Sequence, residues 1–223
     1  MKPIVFHLAD GAMVEGLKGF FRRDNWHHAI GCDKVQIDPE SEQDFFKVPG
    51  RNDQAVWKSA HVYLAPFKEV YEHAVIIIDE TFDPSPGAEE IRMDISTNMI
   101  EAGWQEERFK VVVIEPMLEA WLWMESDHVA KAFGVSDYKT LRSLLVKEKL
   151  WDAGEPKPKA AELKYACLRA CAIGGKKSAR STFANIFEVV SSRALNKCTE
   201  PGFNLLRETL RVWFPKGKEA WEK

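Results

Sequence analysis

The 223-residue chain has only 4 cysteines, and none forms a C-x-x-C pair. Cys32 and Cys198 stand alone, while Cys167 and Cys171 are four apart on an expected helix. Without close ligand pairs or neighbouring histidines, the usual structural zinc motifs and a disulfide-stapled secreted scaffold are excluded. Buried, reduced thiols are the reading that remains. Long apolar runs are also lacking: nothing approaches the roughly 18 uninterrupted residues of a membrane span, so no membrane partner is expected. The N-terminus has no basic patch leading into an apolar run, so no signal peptide is expected and the cytoplasm is the expected location. Net charge is small, at −3.

What the chain does have is core material. Hydrophobic residues make up 45% and charged residues 29%, with 8 tryptophans and 13 phenylalanines, as in an ordinary globular protein with a dense core. The charge is unevenly placed. Residues 1–138 hold 13 Lys and Arg against 25 Asp and Glu, whereas residues 139–223 hold 18 against 9. An acidic region joined to a basic one suits a site where cations and phosphates meet.

Three segments read as strands: PIVFHLA (3–9), AVIIID (74–79) and KVVVIE (110–115). Continuous rather than alternating apolarity points to strands covered on both faces, as in parallel sheets. Between the last two lies an expected helix, with Ser85 as cap, Pro86 in its first turn, Glu89 and Glu90 at its positive end, and Gly103 at its stop. Pro116 is expected to open another helix, running through MLEAWLWMESDHVAKAF to Gly134, followed by one capped by Ser136. Residues 31–62 read as loop with at most short strands. WDAGEPKPKAAEL (151–163) reads as a linker, and helices are expected over 160–172, 178–190 and 201–213. The expected organisation is an α/β domain over 1–150, with a mostly parallel sheet flanked by helices, and a basic helical region over 151–223 packed on it.

All three strand ends deliver acids: Asp10 after the first, Asp79, Glu80 and Asp83 after the second, Glu115 and Glu119 after the third. In parallel α/β sheets the carboxyl ends of strands form the ligand crevice. Carboxylates crowded there raise one another's pKa or take a cation, and Mg2+ held by one or two carboxylates with substrate phosphate is the natural relief. Taken singly, each of these acids reads more readily as a helix cap or turn residue, and it is the convergence of three strand ends that points to a site. His7 reads as a satisfied core histidine, His27 and His28 as helix-end or surface residues, and Trp121, Trp123 and Phe133 as core.

EPMLEAWLW (115–123), directly after an apolar strand, resembles a segment of TOPRIM-like proteins of the RloB type, found in bacterial anti-phage defence islands. IIIDETFDPSPGAEEI is similar to their acidic second motif, and HLADGAMVEGLKGFF stands in the place of the first. The likeness is greater still to the small TOPRIM-like component of methylation-associated defence systems, through DPSPG, the GW before the third strand, KPKAA and the late WFP. The resemblance implies a TOPRIM-like, Rossmann-like fold and Mg2+- or Mn2+-dependent nuclease chemistry on nucleic acid, with other proteins of a defence operon as partners. By position it implies Asp79, Glu119 and Asp10 as catalytic residues, and Asp79, Asp83, Glu119, Asp10 and Glu115 as metal ligands. Two departures accompany it. Asp10 stands near where a glutamate ends the first strand, and Asp79-Glu80-Thr81 replaces an Asp-x-Asp pair. A second reading is therefore a catalytically inactive scaffold that binds nucleic acid or a partner protein, and a third a regulator without nucleic-acid contact.

The expected nucleic-acid contacts are basic. Lys157 and Lys159 alternate with prolines and read as projecting from the surface. GGKKSAR (174–180) sets Lys176, Lys177 and Arg180 beside a helix start, where backbone donors and cations together can hold a phosphate. It lacks the first glycine and preceding strand of a Walker A loop.

Overall fold

The computed structural model describes residues 1–48 and 52–217. Along these the chain runs β1 (Lys2–Leu8), α1 (Gly11–Phe21), α2 (Trp26–Ile30), β2 (Phe45–Phe46), α3 (Asp53–Leu64), β3 (Tyr71–Asp79), α4 (Ala88–Glu101) and β4 (Phe109–Ile114). Six helices follow: α5 (Asp127–Phe133), α6 (Tyr138–Lys147), α7 (Leu163–Ile173), α8 (Ala179–Val189), α9 (Ser192–Asn196) and α10 (Pro201–Trp213). The four strands form one sheet in the order β2-β1-β3-β4, with every neighbouring pair parallel. The expected α/β architecture of a parallel sheet flanked by helices is thus present.

The apolar runs explain the sheet. Residues 74–78 and 111–114 are almost fully buried, which only strands covered on both faces can be. Successive side chains point to opposite faces. Phe6 packs on Phe21 of α1 with ring centroids 5.2 Å apart, while the next residue, His7, lies beside Tyr63 of α3. So α1 covers one face and α3, with α4, the other. Helix α8 lies on α1 so closely that a Cβ on Gly19 would come 2.2 Å from the Ala184 carbonyl oxygen. Helix α10 packs against β4, and its last residue, Trp213, stacks on His73 of β3 at 4.2 Å. Trp151, inside the expected linker, is buried, and the C-terminal helices share one apolar core with the sheet. All four cysteines are buried and free, matching the reduced-thiol reading.

Several expectations are corrected. Residues 31–62, read as loop with at most short strands, contain the two-residue β2 but also most of α3, which was not expected; 49–51 lie outside the described residues. Helix α3 is capped by the Asn52 side chain and buries Val56, Trp57, Ala60 and Leu64 at helical spacing. Ser85 does not cap α4; its hydroxyl accepts from Gly87 N, and α4 begins after Gly87. The long helix expected after Pro116 is broken. Met117 is extended, a 3-10 turn spans Leu118–Leu122, and Ser126 caps a separate α5. The reason lies in tertiary hydrogen bonds, because Leu118 N donates to the Asp79 carboxylate and the Pro116 carbonyl accepts from Thr81 N. At α6 the cap is Asp137 rather than Ser136, whose hydroxyl donates to the Asp137 carboxylate.

Candidate functional site

The register brings three strand ends level: Leu8 pairs with Ile77, and Ile114 with Asp79. Just past β1, Asp10 caps α1, its Oδ1 accepting from Ala12 N at 2.7 Å and Met13 N at 2.8 Å. Asp79 ends β3. Its Oδ1 accepts from Leu118 N at 2.8 Å, and its own N–H donates to Asp53 Oδ1 at 2.9 Å. Asp53 opens α3, and Glu119 sits in the turn after β4.

These four carboxylates act on one another. Burial pushes Asp79 well above the ordinary aspartate range, and the charges of Asp53, Glu119 and Asp10 push it further. Glu119 is raised by burial and then by Asp10, with Lys164 opposing. Asp53 is raised by burial and by Asp10, against hydrogen bonds that favour its charged form. Among the described residues none of the four has an ion-pair partner. Asp10, Asp79 and Glu119 are therefore brought together at one edge of the sheet, as expected. Asp53 was missed; its signal was a polar pair, Asn52-Asp53, before a helical apolar pattern.

Two other expected ligands are elsewhere. Glu115 is bound by the Arg92 guanidinium, and Asp83 is exposed on the loop before α4. Neither is among the charges acting on Asp79 or Glu119. Glu115 leaves the group because β4 ends one residue before it and a cation on α4 holds it. Glu80 is turned to the start of α4, where Oε1 accepts from Ala88 N at 3.4 Å.

The donor set at the edge is all oxygen, the chemistry that hard cations such as Mg2+ require. One oxygen each of Asp10, Asp53 and Asp79 is occupied by backbone N–H groups. Among the described residues no three His, Cys, Asp or Glu side chains stand in ready metal-ligating geometry. The residues fit the ion in kind, through the second oxygens of Asp10 and Asp79 and the Glu119 carboxylate.

Beside the acids runs a groove of about 620 Å3, lined by Gly11, Glu15, Lys18, Phe45, Lys47 and Arg180 among others. The Arg180 guanidinium lies over the first residue of α1, so close that a Cβ on Gly11 would be 3.0 Å from its Cζ. Of the five cations expected to contact nucleic acid, Arg180 reaches this groove, while Lys176 and Lys177 are exposed before α8. Lys18 and Lys47, not foreseen, also line it, so that three cations stand against the two acids Glu15 and Glu42. Lys157 does not project freely, being half-buried against the buried Glu200 carboxylate, whereas Lys159 is exposed as expected and pairs with the exposed Asp152 at 2.9 Å. His7 is likewise not a satisfied core histidine, since both ring nitrogens are buried without a partner among the described residues.

Comparison with family models, with curated proteins and with solved structures gives no match to this chain.

Proposed function

We propose that the carboxyl edge of the sheet is a TOPRIM-like, Mg2+-dependent site for cutting or rejoining phosphodiesters in nucleic acid, serving anti-phage defence alongside other proteins of its operon. One observation carries this reading. Asp10, Asp53, Asp79 and Glu119 converge on a single edge, and among the described residues no cation is paired to them. Like charges held so close cost free energy unless an external cation or a proton relieves them. Functional sites are where such destabilised arrangements persist.

Each group has a role the geometry allows. Arg180 and the start of α1 offer a phosphate both a fork of donors and a favourable dipole. Lys18 and Lys47 extend that attraction along the groove. Asp10, Asp79 and Glu119 would hold the ion, which supplies Lewis-acid polarisation of the phosphodiester and an activated water. Without the ion, burial and the neighbouring acids favour the protonated form of Asp79, whose Oδ1 already accepts from Leu118 N. Asp53 orients the Asp79 backbone from behind.

The test is Mg2+- or Mn2+-dependent cleavage of DNA and RNA, together with phage protection in cells. Asp79→Ala and Glu119→Ala are each expected to lower cleavage at least 100-fold and abolish protection. Parental cleavage and protection in both variants would sink the enzymatic reading. A second reading, an inactive scaffold that binds nucleic acid through the same groove, is favoured by a specific observation. The carboxylates are bonded to backbone N–H groups rather than set out as a ligand cage. It predicts salt-sensitive binding without cleavage, lost in Arg180→Glu.

A further inference from the structure

On the far side of the turn that carries Glu119 lies a cavity of about 950 Å3. That is at the upper end of the range for pockets that enclose a small organic ligand, on the order of 300–1,000 Å3. Its floor comes from Ala120, Trp123 and Met124 after β4 and from Tyr138 of α6. This floor is rigid. Trp123 is stacked on Phe133 with planes 17° apart, and the Tyr138 hydroxyl donates to the Trp123 carbonyl at 2.9 Å.

The charges around it are not balanced within the protein. Of the lining acids, Glu200 is paired with Lys157 and Glu115 with Arg92. That leaves three cations, Arg142, Arg193 and Lys197, against one acid, Glu125. Arg142 donates to the carbonyls of Ala153 and Glu155, which hold its guanidinium in place without neutralising it. Arg193 on α9 and Lys197 at its C-terminal cap are exposed and make no ion pair among the described residues. Such a surplus of two positive charges matches a phosphate ester in sign and size.

The floor is independent of the charges. Trp123, Met124 and Tyr138 all line the cavity, each under a tenth exposed, and give it an apolar side opposite the cations.

We infer that this cavity binds a nucleotide, with its phosphates toward Arg193, Lys197 and Arg142 and its base over the Trp123–Met124–Tyr138 floor. A free phosphate would leave most of the volume and the whole apolar floor unused. This site is separate from the acidic edge and does not rest on the metal reading, although Ala120 and Glu119 are consecutive residues of the turn between the two.

Isothermal titration of the full chain with ATP, GTP, CTP and UTP, in EDTA so that no divalent ion bridges to the acidic edge, tests it. Saturable micromolar binding of at least one nucleotide is expected. Arg193→Glu with Lys197→Glu should weaken it at least tenfold, while Asp79→Asn leaves it unchanged. Circular dichroism checks that the variants fold; should the double variant not fold, Arg193→Ala alone replaces it, with the same direction expected. The inference is overturned by any of four results: no saturable binding up to millimolar nucleotide, inorganic phosphate binding as tightly as the nucleotides, the charge-reversed variant binding like the parent, or Asp79→Asn abolishing binding.

Discussion

Two groups of acids flank the connector after β4, and they are treated differently. Glu115 and Glu200 each face a basic side chain, Arg92 and Lys157, and the more distant Asp44 accepts from both Lys2 and the Tyr71 hydroxyl. Asp10, Asp53, Asp79 and Glu119, by contrast, have one another and a few backbone N–H groups. The chain does not lack cations, with 31 Lys and Arg, so the difference lies in placement rather than supply. Where a buried acid serves the fold, a cation is packed against it. At the sheet edge none is among the described residues, which is the arrangement expected of a place meant for an outside cation.

The largest effect on stability should come from breaking the paired group. Lys157→Ala leaves Glu200, which is 8% exposed, without its partner. Stranding a buried charge costs about 3–5 kcal/mol, and because Lys157 is itself one-third exposed about 3 kcal/mol is the expectation here. In a chain of this size that is a fall in Tm of roughly 6–12 °C, read by calorimetry. Adding Glu200→Gln should recover part of the loss. If Lys157→Ala melts like the parent, the contrast between the two acid groups loses one of its sides.

His7 sharpens the comparison from the opposite direction. It is buried, stacked on Phe46 at 4.4 Å and unpartnered, so burial lowers its pKa from 6.5 to about 4. The folded value lies below the unfolded one, so the unfolded chain takes up the proton first. The stability associated with neutral His7 is complete above pH 6.5 and is lost as pH falls toward 4. At pH 5 the loss is about 2 kcal/mol by proton linkage. In His7→Phe, urea unfolding at pH 7 and pH 5 should differ by about 2 kcal/mol less than in the parent. An unchanged difference would mean that His7 is solvated or paired.

Much of this was legible in the sequence, for identifiable reasons. The buried strands β3 and β4 announce themselves by runs of β-branched residues, and an acid that ends such a run must lie at the sheet edge. That is why Asp10, Asp79 and Glu119 were foreseen. Asp53 was not, because α3 buries a narrow stripe of Val56, Trp57, Ala60 and Leu64 and leaves Val62 outside, a weak pattern after a Gly- and Pro-punctuated stretch. The break at 117–126 was hidden for another reason. MLEAWLW has good helix formers, and the Asp79–Leu118 bond that overrides them joins residues 39 apart. Lys157 misled similarly, since its partner Glu200 lies 43 residues on. Local pattern reveals elements, whereas pairings across the chain decide which charges remain free.

The smallest expected effect is the one that bears most directly on the acidic edge. Asp79 has a folded pKa above its unfolded value, chiefly through burial and then through its acidic neighbours. The stability linked to its protonated form is therefore full below the ordinary aspartate range and is lost as pH rises through the folded value. Once ionised, the edge opposes folding. Asp79→Asn removes that charge and keeps an Oδ1 acceptor for Leu118 N, so it should raise stability at pH 8 by about 1 kcal/mol, or roughly 2–4 °C in Tm. Millimolar Mg2+ should raise the Tm of the parent in the same direction by binding the folded state alone, and should do so less in the variant. A purely structural edge gives the reverse pattern: Asp79→Asn neutral or destabilising, and Mg2+ without effect on either protein. The two measurements together separate an acid group held apart for a cation from one that merely caps helices.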